Sequence, residues 1–211
     1  MQVKTRQKSG SSRAGKETAQ RIVTAARELL MREGYAQFSM RNVAAQAGLH
    51  LANVQYYYPT RDDLVRAILA DTGERYLASY EQLRARAPAD GAERFKAVVE
   101  FNLRDVATWE TRRFFIQLWA LLSTLDGDSG SLLNDLYEID IQQLSGCIAE
   151  LVPGTQAAEV RRRATLLAAM IEGLIVVRSA HSRSAAELKR LTSRAQALGM
   201  QIALGVVSEV N

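Results

Sequence analysis

The chain has 211 residues, 47% of them hydrophobic, with three prolines, thirteen glycines and one cysteine. That composition excludes a collagen-like or disordered chain, an internal disulfide framework and a multi-cysteine metal site. The net charge of +4 is laid down unevenly: residues 1–66 carry eleven Lys and Arg against five Asp and Glu, a net of +6, and residues 67–211 carry sixteen against eighteen, a net of −2. A basic head on a slightly acidic body fits a polyanion partner for the head, or a solubilising tail.

Taken in chain order, residues 1–15 read as a flexible basic arm bearing Lys4, Arg6, Lys8 and Arg13, with Lys16 at its end. Ala19, Ile22, Ala26, Leu29 and Leu30 then recur at helical spacing from Thr18, and Gly34 stops the run. Ser39 is placed to cap a short helix containing Met40, Val43, Ala44 and Ala47, and Gly48 ends it. Leu49 to Tyr58 form the next short helix, closed by Pro59. Thr60 and Asp63 form a capping box that opens a fourth helix running towards Leu83.

The remainder is also read as helical: residues near 92–107, 110–125, 132–151, 157–181 and 184–208, separated by Gly-, Pro-, Asp- and Ser-containing loops. No segment alternates with period two, so no sheet is expected. No run approaches about eighteen apolar residues, and the N-terminus lacks the apolar core of a secretory signal, so a cytoplasmic protein is expected. Cys147 lies in an apolar stretch and reads as an inert buried thiol.

Residues Ser39 to Leu64, SMRNVAAQAGLHLANVQYYYPTRDDL, carry the most specific pattern. Two short helices crossing steeply need a small residue at their contact and a glycine in the turn, which Ala44 and Gly48 supply. Val43, Leu49, Val54 and Tyr58 are the apolar positions that would hold the pair together. Leu51, Ala52, Asn53, Gln55, Tyr56 and Tyr57 are left to face outward, on a helix of a size that fits the major groove of B-form DNA.

The same stretch resembles the TetR family of transcriptional regulators in its hydroxyl cap, Val43-Ala44, the Ala47-Gly48 turn, the aromatic run and Thr60-Arg61-Asp62-Asp63-Leu64. The resemblance implies an all-α protein: an N-terminal three-helix helix-turn-helix DNA-binding domain over residues 16–76, and a C-terminal helical effector-binding and dimerisation domain over residues 77–211. It implies that Leu51, Ala52, Asn53 and Gln55 read base edges, where Asn and Gln suit adenine. Tyr56 and Arg61 would hold phosphate, and Ser39 and Arg41 would touch the backbone. Lys16 and Arg13 would reach the minor groove or phosphates, and Tyr57 is a further candidate contact. His50, Ala52, Gln55 and Tyr57 depart from the residues usual in the family, which leaves the operator sequence open.

In the body, Val160, Ala164, Leu167, Ile171 and Leu174 form one helix seam, and Leu188, Leu191, Ala195, Leu198 and Ile202 form another. Leu167, Ile171, Leu174, Leu191, Ala195, Leu198 and Ile202 are therefore the candidate homodimer interface, with an intramolecular core as the alternative. A dimer would present its recognition helices about 34–36 Å apart to a palindromic operator. Phe101, Phe115, Trp119, Tyr137 and Met170 are candidates for lining the apolar small-molecule pocket that the family resemblance implies. Glu172 lies inside an apolar run, placed either for a cationic ligand or for pairing with an arginine.

The resemblance thus implies a sequence-specific regulator, in the family's commoner mode a repressor released from its operator by a small molecule. The rival classes are a helical-bundle enzyme and a protein-interaction module. His50 and His181 are far apart, and no Glu-x-x-His pair, His-Glu-x-x-His, Walker loop or Gly-x-Ser-x-Gly is present. No catalytic residue, metal or cofactor is therefore expected.

Overall fold

The computed structural model describes residues 13–86, 90–125, 129–180 and 184–206. Lys4, Arg6 and Lys8 of the arm and His181 fall outside them. Among the described residues the protein is all-helical, with no strand. The helices are α1 (Arg13–Glu33), α2 (Met40–Ala47), α3 (Leu51–Tyr57), α4 (Arg61–Arg86), α5 (Gly91–Asp105), α6 (Trp109–Leu122), α7 (Ser129–Leu151), α8 (Ala157–Ala180) and α9 (Ala185–Leu204). A single 3-10 turn, Tyr35–Gln37, joins α1 to α2. No helix among the described residues is long and apolar enough to cross a membrane.

Local chemistry sets most of the boundaries. The Asp90 carboxylate accepts from the backbone N–H of Ala92 and Glu93 at 2.7 and 3.1 Å and starts α5. Ser184 Oγ accepts from Glu187 N at 3.2 Å and starts α9. One boundary differs clearly from the sequence reading: α1 begins at Arg13, not Thr18, so Arg13 and Lys16 are helical and not part of a loose arm. The first turns of α1 are held by polar contacts, Arg13 with Glu17 and Thr18 Oγ1 with Ala14 O, which leave no apolar period to read.

The chain divides into two compact units. The head comprises the described residues up to Asp71 together with Gln117–Leu125, and the body begins at Thr72 and Gly130. The head ends within α4 at Asp71, before the expected limit at residue 76, and it recruits the end of α6. Two polar contacts tie that segment in: Tyr35 N–H donates to Gln117 Oε1 at 2.9 Å, and Arg61 Nη2 donates to Thr124 Oγ1 at 3.1 Å.

The head buries one face of α1 (Ile22, Val23, Ala26, Leu29, Leu30), the start of α4 (Leu64, Val65, Ile68) and Leu118, Leu121 and Leu122 of α6. Arg27 and Gln20 of α1 meet Asp71 of α4 at 3.8 and 2.6 Å. The body buries Phe95, Val99 and Leu103 of α5, Leu144 and Ile148 of α7, and Ala164, Leu167 and Ile175 of α8. In this unit α9 packs on α5 and α8.

Candidate nucleic-acid interface and interior site

Ser39 is extended at φ −140°, and its Oγ accepts from Asn42 N at 3.2 Å, which caps α2. Val43, Ala44 and Ala47 are buried beneath it. Gly48 ends α2 in the left-handed region, φ 63° and ψ 38°. Gly48 N donates to Ala45 O at 3.1 Å and Leu49 N to Ala44 O at 2.9 Å. This pair of bonds closes the helix and reverses the chain into α3 within two residues. Leu49 and His50 thus lie outside α3, which is shorter than the sequence reading. The His50 side chain makes no capping bond, in keeping with its departure from the family's usual hydroxyl.

Val54 is completely buried and anchors α3. Around it Ala52, Asn53, Gln55 and Tyr56 are exposed, while Leu51 and Tyr57 are half-buried. Tyr56 is 60% exposed with its ring edge-on to Tyr57 at 5.2 Å. Tyr58 serves the fold: its hydroxyl donates to Ala19 O of α1 at 3.4 Å, and burial with nearby Asp71 pushes its pKa up. The arrangement leaves two side-chain amides on the open face of a short helix. Such amides pair with the N6 and N7 edge of adenine in a major groove.

Thr60 and Asp63 cap α4 reciprocally: Thr60 N donates to Asp63 Oδ2 and Asp63 N to Thr60 Oγ1, both at 3.0 Å. Arg61, the first residue of α4, is half-buried, with its guanidinium 6.0 Å over the Phe38 ring and bonded to Thr124. The structure thus gives Arg61 a packing role that the sequence did not show. Lys16 and Arg41 are exposed, and Ser39 is half-buried with its hydroxyl spent on the cap. Gln46 of α2 bridges Arg32 and Glu28 of α1 at 2.8 and 3.2 Å. Arg32 reads from sequence as a solvated-face residue of the first helix, and its bond to Gln46 was not foreseen, because single polar pairs across helices leave no periodic trace.

The five aromatic and methionine pocket candidates are divided between the two units. Trp119 belongs to the head, whereas Phe101, Phe115, Tyr137 and Met170 belong to the body. Phe115 is fully packed against Phe114 and Tyr76, and Phe101 lies edge-on to Tyr80 at 5.4 Å. A cavity of about 450 Å³ in the body is lined instead by residues of α4, α5 and α7, among them Tyr80, Arg84, Arg94, Gln143 and Cys147.

The predicted dimer seam is also revised. Leu167, Ile171, Ala195 and Ile202 are buried within the single chain, and Leu174 and Leu191 are half-buried. Of the seven, Leu198 is exposed, at 42%. The heptad-like spacing marked the inner face, because a helix packed on its own domain shows the same period as one packed on a partner. The outward stripe of α8 is Leu166, Ala169, Gly173, Val176 and Val177, and on α9 Leu198 is followed by Leu204.

Polar groups gather inside the body where the sequence reading had marked only Glu172. Tyr76 Oη donates to Asp105 Oδ2 at 2.6 Å, and Thr111 Oγ1 donates to Asp105 Oδ1 at 3.1 Å. Tyr80 Oη lies 2.8 Å from both Asp140 Oδ1 and Asn102 Oδ1. Burial, together with Asp105, lifts the Asp140 carboxyl to about 6. Burial and the charges of Asp140 and Asp105 lift Glu172 to about 8.

Residues 22–68 match the family model of bacterial regulatory proteins, tetR family. An uncharacterized HTH-type transcriptional regulator in the dhlA 5' region of Xanthobacter autotrophicus is 32% identical over 131 residues, 60% of this chain and 65% of that protein. The chain thus spans just under two thirds of that relative's length. The HTH-type nicotine-responsive transcriptional repressor HdnoR of Paenarthrobacter nicotinovorans is 25% identical over 155 residues, 70% of this chain and 77% of the repressor. A transcriptional regulator from Saccharomonospora viridis, crystallised in complex with choline, superposes with a TM-score of 0.68 at 23% identity, covering 85% of this chain and 95% of that one.

Proposed function

We propose that the chain is a sequence-specific DNA-binding regulator of the tetR type, acting as a homodimeric repressor that a small molecule releases from a palindromic operator. The observation that carries this is the face of α3: Val54 is fully buried while Ala52, Asn53, Gln55 and Tyr56 stand in solvent on a helix held by the Gly48 turn. A helix kept only for packing would not spend its open face on two amides and a tyrosine that is 60% exposed. Asn53 and Gln55 would read bases, while Tyr56, Arg41 and Lys16 would hold backbone phosphates. Arg61 would contribute from the α4 N-terminus, within the limits set by its bond to Thr124.

The outward apolar stripe of α8 and α9 supports the dimer. Leu166 and Val176 are more than half exposed in the single chain, and Ala169 and Gly173 between them allow close approach of a second helix. Repression and a small-molecule effector are supported by the nicotine-responsive repressor and by the choline-bound regulator among the relatives.

The test is selection of duplexes from a random-sequence library with the purified protein, followed by fluorescence anisotropy across a salt series. A palindromic consensus should emerge, with affinity falling steeply as salt rises. Light scattering at micromolar concentration should report the mass of a dimer. Absence of binding to any duplex at low ionic strength would overturn the reading.

A further inference from the structure

The 450 Å³ cavity of the body lies between α4, α5 and α7. From α7 it is lined by Gln143, Gly146, Cys147 and Glu150, at the i, i+3, i+4 and i+7 spacing that shares one helix face. The two middle residues are small, and a Cβ built on Gly146 meets nothing within 4 Å, so this stretch of α7 leaves room beside it. Tyr80 and Leu83 of α4 and Val98 of α5 supply apolar walls, of which Tyr80 and Val98 are buried. The Tyr80 hydroxyl lies 2.8 Å from both Asp140 and Asn102, so it is the ring of Tyr80, not its hydroxyl, that serves the cavity.

Three charged side chains stand on the same lining: Arg84, Arg94 and Glu150. Arg94 is matched by Glu150, whose Oε2 lies 2.9 Å from both Nε and Nη2 of the guanidinium. Arg84 has no such match among the described residues. Its Nη2 donates to Gln143 Oε1 at 3.0 Å, and an amide oxygen satisfies one of the five guanidinium donors without neutralising the charge. Burial and the charge of Glu150 push the Cys147 thiol up, so it stays neutral and adds nothing. Two guanidiniums against one carboxylate leave one positive charge on an otherwise neutral lining. Arg84 is exposed whereas Tyr80 and Val98 are buried, so that charge stands at the mouth and the apolar surface lies at depth. Space of this size, apolar within and carrying a few placed polar groups, has the form of a small-molecule site.

We infer that this cavity binds a monocarboxylic acid with an apolar body, its carboxylate held by Arg84 at the mouth and its hydrocarbon against Tyr80, Leu83 and Val98. This rests on reading the body as the effector-binding part, and it names the chemical class of that effector. A carboxylate meets the planar guanidinium with two parallel charge-assisted bonds, each roughly twice as strong as a neutral one, so it displaces the Gln143 oxygen from Arg84. The freed Gln143 amide can then donate to the same carboxylate. A cation would face two guanidiniums, and a doubly charged phosphate would bring one charge too many to a lining that already holds Glu150. A neutral ligand of the same shape would fill the apolar part and leave Arg84 on its amide.

The test is calorimetry on the full chain without DNA, using phenylbutyrate and octanoate as probes, with phenylbutyramide, phenylbutylammonium and inorganic phosphate as controls. The two acids should bind, and phenylbutyrate should bind roughly tenfold or more tighter than its amide, its ammonium counterpart or phosphate. Arg84→Gln should weaken the acids roughly tenfold and leave the amide unchanged, which separates loss of the charge from loss of the cavity. Cys147→Phe, which fills the space, should weaken acid and amide together. Thermal melts establish that each variant folds, and the exposed Arg84 position alone suffices for the comparison. The inference is overturned if neither acid binds at millimolar concentration, if a control binds as tightly as phenylbutyrate, or if a folded variant keeps the wild-type affinity for the acids. Because no DNA is present, failure here leaves the operator reading standing. Failure to bind duplex would leave these measurements untouched.

Discussion

The head and the body treat polar side chains in opposite ways. In the head, α3 turns its amides and Tyr56 to solvent and buries Val54 completely, so its chemistry lies on a surface and its interior is conventional. In the body, polar groups bond to one another between helices: the Tyr76 and Tyr80 hydroxyls meet the half-buried Asp105 and Asp140 and the buried Asn102, while Leu166, Val176 and Leu198 are left outside. A surface that meets a polyanion must be open before its partner arrives. Polar groups bonded to one another between helices fix how those helices pack.

The largest expected effect tests the head's half of this contrast. Val54→Asp places an unpaired charge at a wholly buried position and should destabilise the head by on the order of 4 kcal/mol. Chemical denaturation read by circular dichroism would measure it, and binding to duplex should be lost. The body should keep its own unfolding transition at the wild-type midpoint, and a single shifted transition would show that the two units do not fold independently.

The body's half is tested by pH, with an effect that ranks next because Glu172 is not wholly shielded from solvent. Its carboxyl is lifted from 4.5 to about 8. Between those values the folded protein binds more protons than the unfolded chain, so the group's contribution is fully favourable below 4.5 and is lost as pH rises towards 8. Glu172→Gln should flatten that decline and melt higher than wild type at pH 8 and above. Asp140, lifted from 3.8 to about 6, accounts for the decline that remains at lower pH. Thermal melts of both proteins from pH 4 to 9 check this, and parallel curves would mean that Glu172 is not buried as an acid.

The same contrast explains what was legible. The head's site is nearly contiguous: Ser39, Gly48, Asn53, Gln55, Thr60 and Asp63 are signals at fixed offsets, and each acts within a few residues of its own position. The end of α6 was not assigned to the head, because Gln117 and Thr124 reach it through single side-chain bonds across 82 and 63 residues. The interior cluster joins positions 76, 80, 105, 140 and 172, one or two on each of four helices. Of these, Glu172 alone interrupted an apolar run clearly enough to be marked. The α8 and α9 seams were recognised as helix faces but assigned outward, since periodicity reports that a face is buried and not what covers it.

A third prediction sharpens the division of labour on α3. Gln55→Ala should relax preference at one base pair by roughly 1–3 kcal/mol while leaving affinity for random duplex unchanged. Tyr56→Phe should weaken operator and random duplex alike if its hydroxyl holds phosphate as proposed. Anisotropy on the selected operator and on single-base variants separates the two. Equal losses for Gln55→Ala on operator and random duplex would move that residue from reading to positioning.

The smallest effect isolates the turn that aims α3. Gly48 sits at φ 63°, and a Cβ built there meets nothing within 4 Å. Gly48→Ala therefore pays only the backbone strain of an L-residue in the left-handed region, about 1 kcal/mol, and Gly48→Asn should cost less because its side chain tolerates that conformation. Amide hydrogen exchange of α2 and α3 should show the loss as faster opening in the order glycine, asparagine, alanine. Operator affinity should hold in all three once folded, because the residue makes no contact beyond its own turn. If Gly48→Ala instead loses operator affinity with exchange unchanged, the turn itself approaches the duplex, and the head's binding surface extends from α3 back to the glycine.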